Sequence, residues 1–237
     1  PQQVEVARHA ESARALRRQL ESLRGNASAD TLAKAWKQLN ASDPWIRHAA
    51  RTIVETLPVK MWRMRALEET NIDRFLSAAL ALQRFGDDRD RQRLGQRLAA
   101  LKAHRLLSWQ QFEWADLALR QLAGSDTNDP KWDPLFNELR KVFPSNHFLL
   151  DQQVSRLLAK RDNGWFVPRV VKLLEKSRDT GNQRQQMHWL FILSTQSQDW
   201  TPELGERYFA GLFDMDSFEA GEGMATFRRL IRDAALA

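Results

Sequence analysis

Apolar residues along the 237-residue chain recur three and four positions apart almost from end to end, the spacing of one buried face on an α-helix. Residues 4–24 place Ala13, Leu16, Leu20 and Leu23 on one stripe, and Gly25 supplies the stop. Leu32, Ala35, Trp36 and Leu39 form the next, with Asp30 as the expected cap. Asp43-Pro44 joins a capping side chain to a proline at the first helical position. Ile46, Ala49, Ala50, Ile53, Val54 and Leu57 follow, up to Pro58. After a short segment with Met61, Trp62 and Leu67, the pattern resumes at Phe75, Leu76, Ala79, Leu80 and Leu82 and stops at Gly86. Leu94, Leu98 and Leu101 make one further stripe, and Trp109, Phe112, Ala115, Leu119 and Leu122 another.

Residues 124–134 hold the turn-formers of a true loop, a soft boundary within an otherwise continuous domain over 1–237. Asp133-Pro134 restarts a helix that Pro144 closes. Further stripes lie at Leu149–Leu158, Val167–Leu174, Met187–Leu193, Leu204–Leu212 and Phe227–Ala234, with Thr201-Pro202 opening the fourth of these. The one strand-like stretch, Trp165-Phe166-Val167, runs into Pro168 and reads as a helix entry. About thirteen helical segments leave almost no room for strands, so the chain is expected to be all-α.

Centres of the most apolar helices fall near Ala49, Ala79, Ala115, Val154 and Leu190, at separations of 30, 36, 39 and 36 residues. That spacing is near the ~34-residue tetratricopeptide period and short of the roughly 40–47 of HEAT and armadillo arrays. The tetratricopeptide pattern of Trp, Gly, Tyr and Pro is missing. An irregular, HEAT-like α-solenoid of stacked hairpins is therefore expected, because one hairpin cannot bury its apolar face alone. The alternative is a single irregular bundle with accidental spacing.

Composition narrows the chemistry. There is no cysteine, which excludes disulfides, thiol catalysis, Cys-ligated zinc, iron–sulfur clusters and covalent haem on this chain. No segment approaches the roughly 18 apolar residues of a membrane span. The chain starts at Pro1 with no leader-like segment, which reads as a processed or excised piece. Its five histidines, at 9, 48, 104, 147 and 188, include no pair at helical metal-binding spacing. Asp126–Pro130 and Asp214–Phe218 lack the residues of a calcium loop. Neither a nucleophile elbow nor a phosphate loop is present, and Gly221-Glu222-Gly223 is too short and acidic to cradle phosphate. No catalytic constellation emerges, so neither catalytic nor metal-ligating residues are assigned.

The net charge of +6 is unevenly held: residues 1–110 carry +8 and residues 111–237 carry −2. Arg14, Arg17 and Arg18 on the first helix, with Arg89 and Arg93 near the middle, are the basic material for a nucleic-acid-binding face interleaved with tryptophan. Asp87, Asp88 and Asp90 stand among the second group, which favours local ion pairs at a helix start. Of the nine tryptophans, Trp36, Trp109 and Trp189 fall on apolar stripes and are expected in the core; Trp45 and Trp132 are expected to be partly exposed.

Asp43-Pro44-Trp45-Ile46-Arg47-His48-Ala49-Ala50-Arg51 leads on to Glu55, Pro58 and Trp62. In this the chain resembles the HEAT-like helical region of large c-type cytochrome, membrane-associated dehydrogenase-like proteins of planctomycete-type bacteria. There a segment Asp-x-x-Ile-Arg-x-Ala-Ala-Arg leads into a Glu, a Pro and a Trp. The likeness continues through Phe143-Pro144, Gln186-Met187-His188-Trp189, Trp200-Thr201 with Tyr208-Phe209, and Gly223 with Ile231–Leu236, covering about residues 10–237.

The resemblance implies a helical region between a β-propeller and a haem-binding cytochrome c domain, in the periplasm or cell envelope. It implies a non-enzymatic spacer or docking scaffold, with neighbouring domains or proteins of an envelope redox assembly as partners. This chain holds no cofactor itself; haem is expected on a neighbouring domain. The polar exceptions among the matched residues, Arg47, Arg51 and His188, are candidates for a polar network or docking surface. The alternative reading is a nucleic-acid-binding α-solenoid, similar to HEAT-like DNA glycosylases, using the basic N-terminal half.

Overall fold

The computed structural model describes residues 2–145, 147–161, 164–218 and 222–236. Among them are thirteen α-helices, four short 3-10 turns and no strand, so the chain is all-α. The helices are α1 (Gln2–Glu21), α2 (Ala29–Lys37), α3 (Pro44–Thr56), α4 (Arg63–Glu68), α5 (Ile72–Phe85), α6 (Asp88–Ala100), α7 (Ser108–Leu122), α8 (Asp133–Val142), α9 (Phe148–Leu158), α10 (Phe166–Asp179), α11 (Gln183–Ser194), α12 (Pro202–Asp214) and α13 (Glu222–Leu236). They divide between two compact units, Pro1–Asp126 with Lys131–Glu138 and Thr127–Pro130 with Leu139–Ala237.

Several helix starts follow directly from local chemistry. Asp43 Oδ1 accepts hydrogen bonds from the backbone amides of Trp45 (2.8 Å) and Ile46 (3.4 Å), and Pro44 lacks the amide that would go unpaired there. Thr201 caps α12 the same way. Asp87 and Asp90 form a reciprocal capping box on α6, and Arg91 pairs with Asp88 at 2.8 Å. Gly25, with φ 87°, takes the left-handed turn after α1 that a side chain would resist. At α2 the cap is Ser28 rather than Asp30: its Oγ accepts from the Thr31 amide, and Asp30 lies within the first turn, paired with Lys34.

In the first unit α3 packs against α1, α2 and α5, while α5 also packs against α4, α6 and α7. Trp36, Trp62, Phe75 and Trp114 are fully buried there. In the second unit α11 packs against α9, α10, α12 and α13, and α10 also meets α12. Phe143, Phe166 and Trp189 are its largest buried side chains. Side chains bind across consecutive helix pairs at similar sequence distances. Trp36 Nε1 donates to Glu69 (33 residues apart), Ser77 to the Leu39 carbonyl (38) and Gln110 to Asp73 (37). Ser155 meets His188 (33) and Arg178 donates to Asp214 (36).

Two tryptophans correct the expectation from sequence. Trp132 is 6% exposed: its indole folds from the polar loop onto Gly95 of α6, where the absent Cβ leaves room. Trp109 is 39% exposed, because α7 turns Trp114, Leu117 and Ala118 inward instead. Trp45 is open to solvent, whereas Trp36 and Trp189 lie in the core.

Candidate functional site

Three helices of the first unit each turn one four-residue-spaced stripe toward a common groove. The inward face of α3 is Ile46, Ala49, Ala50, Ile53 and Val54, which leaves Arg47, Arg51 and Glu55 on another face, one above the next. From α7 come Phe112, Glu113 and Asp116. Between them Leu76, Ser77 and Leu80 of α5 form the floor of a groove of about 570 Å³. Ser77 is no free nucleophile, since its hydroxyl donates to the Leu39 carbonyl at 2.9 Å.

Arg47 ties the groove together. Its Nη1 donates to the carbonyls of Ala41 (2.8 Å) and Ser42 (3.2 Å), closing the α2–α3 connection. Its Nη2 lies 3.9 Å from Glu113 Oε1, and its guanidinium sits 5.2 Å over the Trp109 ring. Arg51 has its Nη2 3.0 Å from His48 Nδ1 and its Nε 3.5 Å from Glu55 Oε1. That Nε is buried without hydrogen-bond geometry, so the pair is held by charge alone. Arg84 from α5 reaches the same Glu55 at 2.9 Å.

Burial sets the electrostatics. It lowers the Arg51 guanidinium below its ordinary value, against the pull of Glu55. It raises the Glu113 carboxyl above its usual range, with Arg47 and Arg51 opposing. The groove thus carries both signs of charge beside the exposed rings of Trp45, 66% exposed, and Phe112. Such a surface can hold a folded partner through aromatic contact and paired charges.

The candidate residues do not gather in one place. Arg47 and Arg51 share this groove, together with His48. His188 belongs to the second unit, where its Nε2 lies 2.9 Å from Ser155 Oγ and its ring packs on Trp189 at 4.7 Å. Burial lowers its pKa to about 4, with Arg156 adding to the effect, so the ring is neutral at pH 7. Of the basic residues, Arg14, Arg17, Arg18, Arg89 and Arg93 are all exposed. Arg17 pairs with Glu21 at 2.8 Å and approaches the Trp45 ring, whereas Arg93 leans on Met64 of α4. Those two sit in different packing neighbourhoods.

Sequence reasoning missed Phe112, Glu113 and Asp116. The usable signal was their register with Trp109 on α7, hidden because apolar residues lie on several faces of that helix. No group of three or more His, Asp or Glu that could hold a metal ion occurs among the described residues. No helix among them is long and apolar enough to cross a membrane. No protein family, curated protein or solved structure matches the chain at a significant level.

Proposed function

We propose that the chain is a non-catalytic helical-repeat module that docks neighbouring domains or proteins through the α3–α5–α7 groove. The observation that carries this is the Arg47–Glu113 contact. Two helices 66 residues apart in register lean toward one another over α5, with solvent-exposed aromatic rings along the rim. Structural side chains of this size are normally buried, and an exposed aromatic rim around paired charges is the composition of a contact surface.

The repeat reading draws support from the packing within each unit. In the first, α3, α5 and α7 are successive neighbours, as are α4 and α6; in the second, α9, α11 and α13 line up, as do α10 and α12. Alternate helices from α3 to α7 and from α9 to α13 thus stack on one another, as a HEAT-like array would require. Hydrogen bonds spaced 33–38 residues apart repeat the same register.

The partner we favour is a haem-bearing domain or protein of a periplasmic or envelope redox assembly, with this chain as spacer and dock. Glu113 and Asp116 in the groove oppose a phosphate backbone, which weighs against the nucleic-acid reading. Purification of the protein from its native cells tests the proposal. The fraction holding this chain should carry the absorption bands of c-type haem, and Arg51→Glu should release it. Turnover by the isolated chain, or a haem-free native assembly, would contradict the reading.

A further inference from the structure

The second unit has its own groove, over α11 and between α9 and α13, and its chemistry differs from the first. The volume is about 560 Å³, within the range of small-molecule pockets. Met187 and His188 form buried floor; Phe191 and Phe227, their rings 5.7 Å apart, make an aromatic wall. Arg156 from α9 and Arg184 from α11 stand at the lining, both exposed. Neither has a carboxylate partner among the described residues; Arg184 sits 5.7 Å over the Phe148 ring.

On α9 and α11, the two helices that supply these arginines, the acids are missing or occupied among the described residues. α11 contains no acidic residue. The one acid of α9, Asp151, accepts the Ser145 backbone amide at 2.6 Å. Of the acids on α10 and α12, Glu175 pairs with Arg207 and Asp214 with Arg178. His188 completes the pocket as a neutral ring: Nε2 is engaged by Ser155 Oγ, and Nδ1 has no protein partner among the described residues.

Two guanidinium groups with no carboxylate partner among the described residues, beside an aromatic wall, define a complementary ligand. We infer that this groove binds a small organic anion, an aromatic body carrying a carboxylate, sulfonate or phosphate. The charged end meets Arg156 and Arg184, which can grip such oxygens bidentately, and the ring lies against Phe191 and Phe227. The inference stands independently of the docking groove in the first unit.

The intact chain is titrated with 8-anilinonaphthalene-1-sulfonate and, separately, with N-phenyl-1-naphthylamine, the same rings without charge. The sulfonate should bind saturably and weaken with added salt, while the neutral probe shows no salt dependence. Arg156→Gln with Arg184→Gln should weaken the sulfonate by about tenfold or more and leave the neutral probe unchanged, a difference of at least about 1.4 kcal/mol. Arg156→Lys with Arg184→Lys, which keeps the charge but loses the bidentate grip, should fall between the wild type and the Gln variant. Sulfonate binding that is salt-insensitive, or equal in the Gln variant and the wild type, would overturn the assignment.

Discussion

Gly95 of α6 lies directly beneath Trp132: a Cβ built on it would stand 3.0 Å from two carbons of the indole and 2.9 Å from Gln121 Nε2. The close approach is what allows a tryptophan from a polar loop to be buried. It also makes one small substitution informative.

Gly95→Ala should destabilise the protein by about 1–3 kcal/mol, as overpacking a filled site does. The helix-propensity gain of roughly 1 kcal/mol from alanine acts the other way and does not recover the loss. Urea denaturation followed by tryptophan fluorescence measures both the midpoint and the loosened Trp132. An unchanged or raised midpoint would show that the indole can move aside at no cost.

Glu55 is shared by Arg51 and Arg84, and the two partnerships are not equivalent. Arg84 is half exposed, so Arg84→Gln should cost under about 1 kcal/mol. Glu55→Gln leaves Arg51 charged and mostly buried without its carboxylate, and should cost about 1–3 kcal/mol. Paired denaturation curves at low and high salt check the ranking. Equal costs would mean that solvent, not Glu55, carries the Arg51 charge.

Two buried groups of the second unit titrate in opposite senses over the same pH range. Burial lowers His188 from 6.5 to about 4, so its contribution is full above pH 6.5 and is lost as pH falls toward 4. Burial raises Asp151 from 3.8 to about 6, with the Ser145 amide opposing. The ionised carboxylate therefore penalises the fold above pH 6, and the penalty is relieved as pH falls toward 3.8. Each effect is roughly 3 kcal/mol, and the two act in opposite directions. Relative to wild type, Asp151→Asn should lose stability on acidification from pH 6.5 to 4.5, and His188→Gln should gain it. Parallel stability–pH curves for all three proteins would contradict this.

Much of the fold could be read from residues whose roles are local. Asp43-Pro44, Thr201-Pro202 and Gly25 start or stop helices through their own backbone and side-chain chemistry, so no distant contact is needed to interpret them. The burial of Trp132 depends on a missing atom at Gly95, 37 positions earlier in the chain, which no local pattern signals. Trp109 misleads for another reason. With Trp109, Phe112, Trp114, Leu117 and Leu119 on several faces of α7, only packing by α5 and α6 decides which stripe turns inward. The candidate groove was half legible: the arginine stripe stands out on α3 because α3 is cleanly amphipathic, whereas its partners on α7 are not set apart by periodicity.

Docking through the α3–α5–α7 groove covers that surface in the native assembly. Radical footprinting of the assembly isolated from native cells, compared with the isolated chain, tests this through Trp45 and Phe112, both exposed here. With the groove docked, both rings should be strongly protected in the assembly, with protection lost in Arg51→Glu. Equal oxidation of the two rings in the assembly and in the isolated chain would contradict it.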